Sequence, residues 1–306
     1  MDRYLSVYLL TLNLKIYNYK RIDMKKLIAL LICTILLSFA VSCDGDGATS
    51  SPSVSSGSDT SASAASSDDT SAEASADTSV GETTPVMTVA DVENVNDIPV
   101  IYAQKYAALD SFEAVTEGAT VANMIISVTQ TISARLIKKG DEGYLHNESH
   151  SSFVNIAHTA YFKGGSVRYK EKDDTTYTNA SLSEYAGVYG VYPFAECIEG
   201  YTVGAGAVKN TELLSFGKTY VYKIELDMEA STSAIKVQMK KSGSLSELPS
   251  FTSLVLTLEI KPDFTPVKVN VKAEYNAKMA IFNAACKQDI TITYSKVNES
   301  VELPTD

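Results

Sequence analysis

Apolar and polar residues alternate with a period of two along the C-terminal third of the chain. The pattern is clearest in residues 254–260 (LVLTLEI), 267–275 (VKVNVKAEY) and 290–294 (ITITY), and it also occurs in residues 220–226 (YVYKIEL). A two-residue period predicts β-strands that bury one face and leave the other in water. Residues 261–266 (KPDFTP) supply two prolines and an aspartate between two such runs, which predicts an antiparallel hairpin.

The N-terminal half of the domain repeats this pattern more loosely. Strands are predicted at residues 119–130, 131–139, 143–151, 153–163 and 166–177. Glycine-containing turns at residues 139–143 and 163–165 join neighbours directly, which is typical of antiparallel pairs. The sheet is therefore predicted to be a mostly antiparallel meander.

Three helices are predicted between the strands. Asp97 precedes a segment with Pro99 in its first turn, residues 181–184 (SLSE) form a capping box, and residues 229–242 end at Gly243, a helix stop. An apolar helix stripe and an apolar sheet face bury each other. We therefore predict an α+β fold, a curved antiparallel β-sheet (half-barrel) with helices covering the concave face.

This predicted domain spans residues 85–306, a length that suits one domain with a sizeable core. Ahead of it, residues 44–84 contain no aromatic residue, no Lys or Arg and no Leu or Ile. Such a composition cannot bury enough apolar surface to offset the ordering entropy. We read residues 43–84 as a disordered Ser/Ala/Asp-rich stalk whose root-mean-square reach is roughly 35 Å. A binding tail or a glycosylated stalk is the alternative.

An apolar run of 14 residues, 27–40, follows Met24 and two lysines and ends shortly before Cys43. The run is shorter than the roughly 20 residues that span a bilayer, so residues 24–42 are predicted to be a signal peptide. Residues 40–43 (AVSC) resemble the bacterial lipobox, with Ala where Leu is usual. The resemblance implies cleavage between Ser42 and Cys43 and acylation of the Cys43 thiol. The alternatives are an ordinary secreted protein cleaved nearby or a retained membrane anchor.

Residues 1–23 do not fit this scheme. They combine Leu, Tyr and Asn with scattered charges, and we expect them to be a mis-start upstream of the true start at Met24.

The order of these segments resembles a known family. A lipobox, a stalk, a helix, a meander, a helical insert and strands ending in residues 294–298 (YSKVN) and 301–304 (VELP) are similar to the LolA/LppX-like half-barrel lipoproteins. The resemblance covers most of residues 96–304 and carries no individual binding residue across. It implies a non-enzymatic lipoprotein on the extracytoplasmic face of a bacterial cell membrane, with a lipid or acyl chain held against the concave apolar face. We expect a monomer that uses no cofactor.

Two cysteines fall within the domain, Cys197 and Cys286. Outside the membrane they could form a disulfide, and two buried reduced thiols are the alternative.

The histidines lie close together in sequence at positions 146, 150 and 158. On a strand, His146 and His150 would be roughly 13 Å apart, too far to share one metal ion, so we expect both on the wet face. His158 has the parity of its apolar neighbours and is expected to point inward.

Tyrosine is abundant, with 18 residues and no tryptophan. Six of them and one phenylalanine are concentrated between residues 161 and 192: Tyr161, Phe162, Tyr169, Tyr177, Tyr185, Tyr189 and Tyr192. They suit a carbohydrate or hydrophobic-ligand surface, and they are also ordinary strand formers.

The formal net charge of −11 and the lack of a Lys/Arg cluster argue against a nucleic-acid partner. A cell-envelope adhesion or interaction module is the second functional hypothesis.

Overall fold

The computed structural model describes residues 87–152, 155–189, 197–204, 206–242, 245–279 and 282–305. The leader, Ser42, Cys43 and the stalk lie outside these residues, as do Tyr192 and Gly243. The described part contains three α-helices, α1 (Ile98–Ala107), α2 (Leu182–Tyr189) and α3 (Met228–Ser242). Within it, no helix has the length and apolar character that crossing a membrane requires.

Thirteen strands are described. They are β1 (Ser111–Asn123), β2 (Ser127–Lys139), β3 (Glu142–His150), β4 (Asn155–Lys163), β5 (Ser166–Glu171), β6 (Thr178–Ser181), β7 (Cys197–Ile198), β8 (Tyr201–Thr202), β9 (Val208–Phe216), β10 (Tyr220–Leu226), β11 (Ser250–Ile260), β12 (Pro266–Met279) and β13 (Phe282–Ser295).

Eleven of the strands form one sheet in the order β6-β5-β4-β3-β2-β1-β13-β12-β11-β10-β9. Every pair in it is antiparallel. Two meanders, β1 to β6 and β9 to β13, therefore meet at a single seam between β1 and β13. The sheet is open because, within the described residues, the outer strands β6 and β9 do not pair with each other. Strands β7 and β8 form a separate hairpin.

The helices lie on one face of this sheet, which we call the inner face. On α1, the ring of Tyr106 contacts Phe112 of β1 and Tyr294 of β13. On α2, the ring of Tyr185 contacts Phe162 of β4, and α3 contacts β8 and β11. The predicted α+β class, an open curved antiparallel sheet with helices on its concave side, is confirmed.

The predicted helix starts are found with one change of detail. In α2, the backbone N–H of Ser181 donates to Glu184 Oε2 at 2.8 Å and the N–H of Glu184 donates to Ser181 Oγ at 3.2 Å, which is the predicted capping box. In α1, Asp97 occupies the N-cap position, but its side chain makes no capping hydrogen bond.

Strand boundaries in the first meander differ from the prediction. Residues 119–130 were predicted as one strand, whereas residues 124–126 form the turn between β1 and β2. This turn consists of Met-Ile-Ile without Gly or Pro, and Ile125 is 81% exposed at its tip. The first half of β1 and the whole of β9 were also missed.

Candidate functional site

The inner face is defined most clearly by one row of residues that crosses nine of the eleven strands, one residue from each. From β5 to β10, through the seam, the registered partners are Glu171, His158, Asn147, Ala134, Thr116, Ile292, Val269, Leu258 and Tyr222. We call it the transverse row. Its residues on β1–β5 are polar or small, and its residues on β10–β13 are apolar or aromatic.

The difference between polar inner residues on β1–β5 and apolar inner residues on β10–β13 extends beyond this row. We use "polar half" for the inner positions of β1–β5, where buried polar residues are Thr116, Thr120, Gln130, Asn147, Ser149 and His158, each at most 4% exposed. We use "apolar half" for the inner positions of β10–β13, which carry residues such as Leu256, Leu258 and Val269, each 0% exposed. Buried polar groups in proteins nearly always have hydrogen-bond partners, and each exception calls for an explanation, so the polar half is the candidate site.

An aromatic cluster lines the β4–β5 end of the polar half. The His158 ring lies 4.4 Å from that of Tyr189, 5.7 Å from that of Tyr185 and 5.8 Å from that of Tyr169, measured between centroids. Its Nε2 is 2.8 Å from the Tyr185 hydroxyl, and its Nδ1 is 3.4 Å from Glu171 Oε1. Helix α2 therefore brings two tyrosines down onto the strand histidine, which confirms the inward orientation expected for His158.

The carboxylate of Glu171 completes this cluster. It accepts a hydrogen bond from the Tyr189 hydroxyl. Burial raises its pKa, but the contacts with His158 and Tyr189 outweigh burial, so the pKa of Glu171 lies below its usual value. Burial raises the pKa of Tyr185 and of Tyr189 far above the usual range. The cluster therefore holds one carboxylate and two neutral phenols at ordinary pH.

Three other buried oxygens of the polar half have no hydrogen-bond partner among the described residues. They are Thr116 Oγ1, Thr120 Oγ1 and Asn147 Oδ1. Their residues are 2%, 3% and 2% exposed. Neighbouring polar residues do pair, since Gln130 Nε2 donates to Ser149 Oγ. Elsewhere among the described residues, Asn96, Tyr102 and Thr211 also carry buried side-chain oxygens without a partner, so three of the six such oxygens lie in the polar half.

A second carboxyl lies over the apolar half, at the turn of the β7–β8 hairpin. Glu199 accepts a 2.6 Å hydrogen bond from the hydroxyl of Tyr294, and its backbone φ is +49°. Burial raises the pKa of Glu199 to about 7, although the residue keeps some solvent contact. Sequence reasoning missed this group, because the letters EG in CIEGYT signal a turn and not a buried acid.

A cavity of about 730 Å³ opens beside β4–β6. Its wall combines apolar residues, Phe162, Val167 and Leu303, with charged residues, among them Glu142 and Arg168. The volume falls within the range of small-molecule sites. This wall is more polar than the aliphatic lining expected for an acyl-chain cavity.

The remaining predicted residues are found in different places. His146 and His150 lie on the outer face with Glu148 between them, each Nε2 at 3.4 Å from one of its carboxylate oxygens. Cys286 carries a buried free thiol, and burial raises its pKa to about 12. The side chain of Cys197 lies outside the described residues, so the disulfide stays a prediction.

The tyrosine-rich region divides between the two faces. Phe162, Tyr169, Tyr185 and Tyr189 belong to the inner cluster described above. Tyr161 and Tyr177 lie on the outer face with ring centroids 5.8 Å apart, and the Arg168 guanidinium lies 4.9 Å and 4.6 Å from these rings. One stretch of sequence therefore builds two separate aromatic clusters.

No family model matches the chain, and no curated protein matches it. Among solved structures, the chain is similar to a LolA superfamily protein from Nitrosomonas europaea, with 14% identity over 67% of this chain and 93% of that one, at a TM-score of 0.26. A DUF1329 family protein from Desulfovibrio piger shows 9% identity over 69% and 93%, at a TM-score of 0.26. A domain named as an outer membrane lipoprotein-sorting protein from Vibrio parahaemolyticus shows 10% identity over 68% and 95%, at a TM-score of 0.26.

The half-barrel family that the sequence resembles is thus among the structures similar to this chain. Likenesses at this TM-score carry no argument about function. The fold itself rests on the strand order and register given above.

Proposed function

We propose that this protein is a membrane-anchored, extracytoplasmic lipoprotein that binds an acyl lipid inside its half-barrel without catalysing a reaction. The supporting observation is the size of the buried inner face compared with the helices over it. Eleven strands about 4.8 Å apart make a layer roughly 50 Å wide and about 30 Å long. Helices of 10, 8 and 15 residues cover only about 500 Å² of that layer.

The inner positions of the sheet are nevertheless buried from β2 to β12, as Leu136 and Val269 illustrate at 1% and 0% exposed. We infer that the bound molecule lies against this apolar face. An acyl chain suits it because the apolar half offers aliphatic side chains along its length, and each buried CH₂ of a ligand contributes about 0.8 kcal/mol.

The membrane anchor is the part of this proposal that rests on sequence alone. Signal cleavage after Ser42 would leave Cys43 as the first residue, carrying a diacylglyceryl group and further acylation by a fatty acid such as palmitate. Two or more chains hold a protein stably on a bilayer, and residues 44–84 would hold the domain above it as a tether. The chain would act as a monomer.

Lipid binding can be tested on the full chain, isolated without organic solvent, by extracting it and analysing the extract by mass spectrometry. We expect acyl lipid in the extract. Ala134, in the transverse row and 4% exposed, offers a matched test, because Ala134→Leu places three extra carbons in the interior. The variant should carry less lipid, whereas Ser133→Leu, at the exposed neighbouring position, should carry as much as the natural protein. Lipid-free natural protein would contradict the proposal.

Anchoring can be tested separately by replacing Cys43 with Ala. The variant should leave the membrane fraction and appear in the soluble extracytoplasmic fraction. Unchanged membrane association would contradict acylation at Cys43.

A second candidate function, contact with an envelope protein or glycan, is favoured by the outer aromatic cluster. Tyr161, Tyr177 and Arg168 combine flat apolar rings with a cation, and Lys170 Nζ lies 4.6 Å from the centre of the Tyr177 ring. Such surfaces stack on sugar rings or on a partner's side chains. Retention on immobilised cell-wall glycan that is lost in Tyr177→Ser would support this function, and equal retention of both proteins would contradict it.

A further inference from the structure

The turns at the two ends of the sheet differ in composition. At one end, the β2–β3, β4–β5, β9–β10 and β11–β12 turns read GD, GG, GKT and KPDFT. These are residue types that turns favour. At the opposite end, β1 and β2 are joined by Met-Ile-Ile, residues 124–126, which we call the apolar tip. The geometry of a turn does not explain this composition.

The apolar tip exposes two isoleucines to solvent. Ile125 is 81% exposed and Ile126 is 49% exposed, whereas Met124 packs against the core. Ile125 has the largest exposed fraction of the large apolar side chains in the described part of the chain. Leu248, which precedes β11 at the same end of the sheet, is 51% exposed. This end therefore presents apolar surface that an apolar phase would remove from water.

The chain around the apolar tip is uncharged. Residues 118–134, which include the tip and the adjoining parts of β1 and β2, contain no Asp, Glu, Lys or Arg. On β13, the charged residue in register nearest to the tip is Lys287, opposite Val121, and it pairs with Glu274 at 2.7 Å. Val121 precedes Ile125 by four residues, or roughly 13 Å along a strand. The tip therefore ends an uncharged region of about that depth.

A bilayer interface is the partner that fits this surface. Apolar side chains enter the boundary between head groups and acyl chains by about 5–10 Å, and the uncharged region is deep enough for that. Charged groups stay at the level of the head groups, where the ion pair of Lys278 and Glu247, two strands from β1, can remain. The formal net charge of −11 opposes contact between the rest of the chain and an anionic bilayer.

The length of chain before the domain allows the tip to reach the bilayer. The described chain begins at the opposite end of the sheet, where the N–H of Val89 donates to the carbonyl of Pro262 at 2.7 Å. Strands β1 and β12 contain 13 and 14 residues, so the sheet is roughly 45 Å long. Residues 44–84 could span roughly 135 Å if fully extended. An anchor at Cys43 is therefore compatible with contact between the far end of the sheet and the same bilayer.

We propose that the apolar tip inserts into the interface of the bilayer to which the protein is anchored, with Ile125 and Ile126 among the upper parts of the acyl chains. This inference rests on the membrane anchoring in the proposed function. The anchor alone would leave the orientation of the domain open. Insertion of the tip fixes it, with β1 and β2 meeting the bilayer end on.

The inference can be tested with a single tryptophan, because the chain has none. Ile125→Trp places the probe at the tip, and Phe216→Trp is the matched control, since Phe216 is 77% exposed at the opposite end of the sheet. Each full-length protein, isolated from membranes, is reconstituted into vesicles of phosphatidylethanolamine and phosphatidylglycerol with or without bromine on the acyl chains. Bromine quenches tryptophan on contact. We expect brominated vesicles to reduce the emission of Ile125→Trp about twofold and to leave that of Phe216→Trp within about 10%.

A second substitution tests whether the apolar character of the tip is responsible. Ile126→Asp, added to Ile125→Trp, places a carboxylate beside the probe. Because burying a carboxylate in the apolar layer is strongly unfavourable, the quenching by brominated vesicles should be lost. Both positions are at least half exposed or nearly so, so neither substitution disturbs the core.

The possible results separate the inference from the proposed function. If Ile125→Trp floats with the vesicles but is quenched no more than the control, insertion of the tip is overturned while the anchoring stands. A blue-shifted emission of Ile125→Trp without quenching by bromine also overturns it, because the tip would then be covered by protein, either a second copy or a partner. If the natural protein does not float with the vesicles, the anchoring is overturned, and the inference with it.

Discussion

The two halves of the inner face have the same backbone geometry and different chemistry. Thr116 and Ile292 are registered partners across the seam, and both are 2% exposed. On one side of the seam the row continues through Ala134, Asn147 and His158, and on the other it continues through aliphatic residues. Burial alone therefore does not decide the residue type on this sheet.

The comparison separates a half whose inner residues are almost all apolar from a half in which buried polar residues lie among apolar ones. Each aliphatic side chain of the apolar half contributes about 1.5–3 kcal/mol through burial. Each unpartnered oxygen of the polar half costs about 1–3 kcal/mol. The apolar half thus offsets the cost of the polar half, and the difference between the halves can be measured by exchanging their residue types.

The largest effect on stability is expected when a polar residue, of the kind found in the polar half, replaces an aliphatic one in the apolar half. Leu258 belongs to the transverse row and is 0% exposed. Leu258→Asn removes aliphatic volume and buries an amide, so the free energy of unfolding should fall by about 3–5 kcal/mol in denaturant titrations. Thr257→Asn, at the half-exposed neighbouring position, should change it by less than about 0.5 kcal/mol. Similar losses at the two positions would contradict the assignment of the apolar half as the core.

The next largest effect is expected at the seam that joins the halves. A Cβ added to Gly118 would lie 2.4 Å from the carbonyl oxygen of Asp289 and 2.7 Å from Cα of Ile290. These are backbone atoms of the paired strand, so Gly118→Ala should force β1 and β13 apart and cost about 2–3 kcal/mol of unfolding free energy. Gly217→Ala serves as the control, because nothing lies within 4 Å of its added Cβ. If Gly118→Ala instead unfolded in two separate steps, the two halves of the sheet would be shown to fold independently.

The carboxyls of Glu171 and Glu199 differ in the same way as the halves. In the polar half, contacts with His158 and Tyr189 keep the pKa of Glu171 below its usual value. Over the apolar half, burial raises the pKa of Glu199 from 4.5 to about 7. An acid whose pKa is raised in the folded state binds its proton more tightly there than in the unfolded chain. Its contribution to stability is present at low pH and is lost as the pH rises from about 4.5 to about 7.

We therefore expect Glu199→Gln to unfold at nearly the same denaturant concentration as the natural protein at pH 5. At pH 8 the variant should be the more stable one by about 2 kcal/mol, because it has no carboxylate to bury. Denaturant titrations at the two pH values check this difference, with Glu117→Gln at an exposed position of β1 as the control. If Glu199→Gln were less stable than the natural protein by the same amount at both pH values, Glu199 would not be neutral in the folded protein.

The contrast between the halves also explains how much of the fold the sequence predicts. In β11, β12 and β13 the inner positions are apolar except for Gln288, and alternation placed these strands and their hairpin correctly. The first half of β1 reads SFEAVTEG, where Ala114, Thr116 and Gly118 face inward. Small and hydroxylated residues give no hydrophobic contrast, so the pattern there is invisible. The residues that make the polar half a candidate site are therefore those that weaken its strand signal.

Other features depend on contacts between distant parts of the chain. The alternation correctly predicts that His158 faces inward, but its contacts with Tyr185 and Tyr189 depend on where α2 packs. The carboxyl of Glu199 is buried because the β7–β8 turn meets Tyr294, which lies 95 residues away in sequence. No local pattern carries that information, so such sites were not predictable from the sequence.

The smallest expected effect is a gain of stability. Thr116→Val keeps the shape of the side chain and removes an unpartnered buried hydroxyl, so the lipid-free protein should become more stable by about 1 kcal/mol. Thr129→Val, in which the hydroxyl is exposed to solvent, should lie within about 0.5 kcal/mol of the natural protein. Substitution of a buried residue more commonly costs stability, so a gain at Thr116 would be the result that distinguishes a residue kept for binding from one kept for packing. A loss of 1 kcal/mol or more would instead mean that the Thr116 hydroxyl supports the fold. The transverse row would then no longer distinguish a half kept for binding from a half kept for packing.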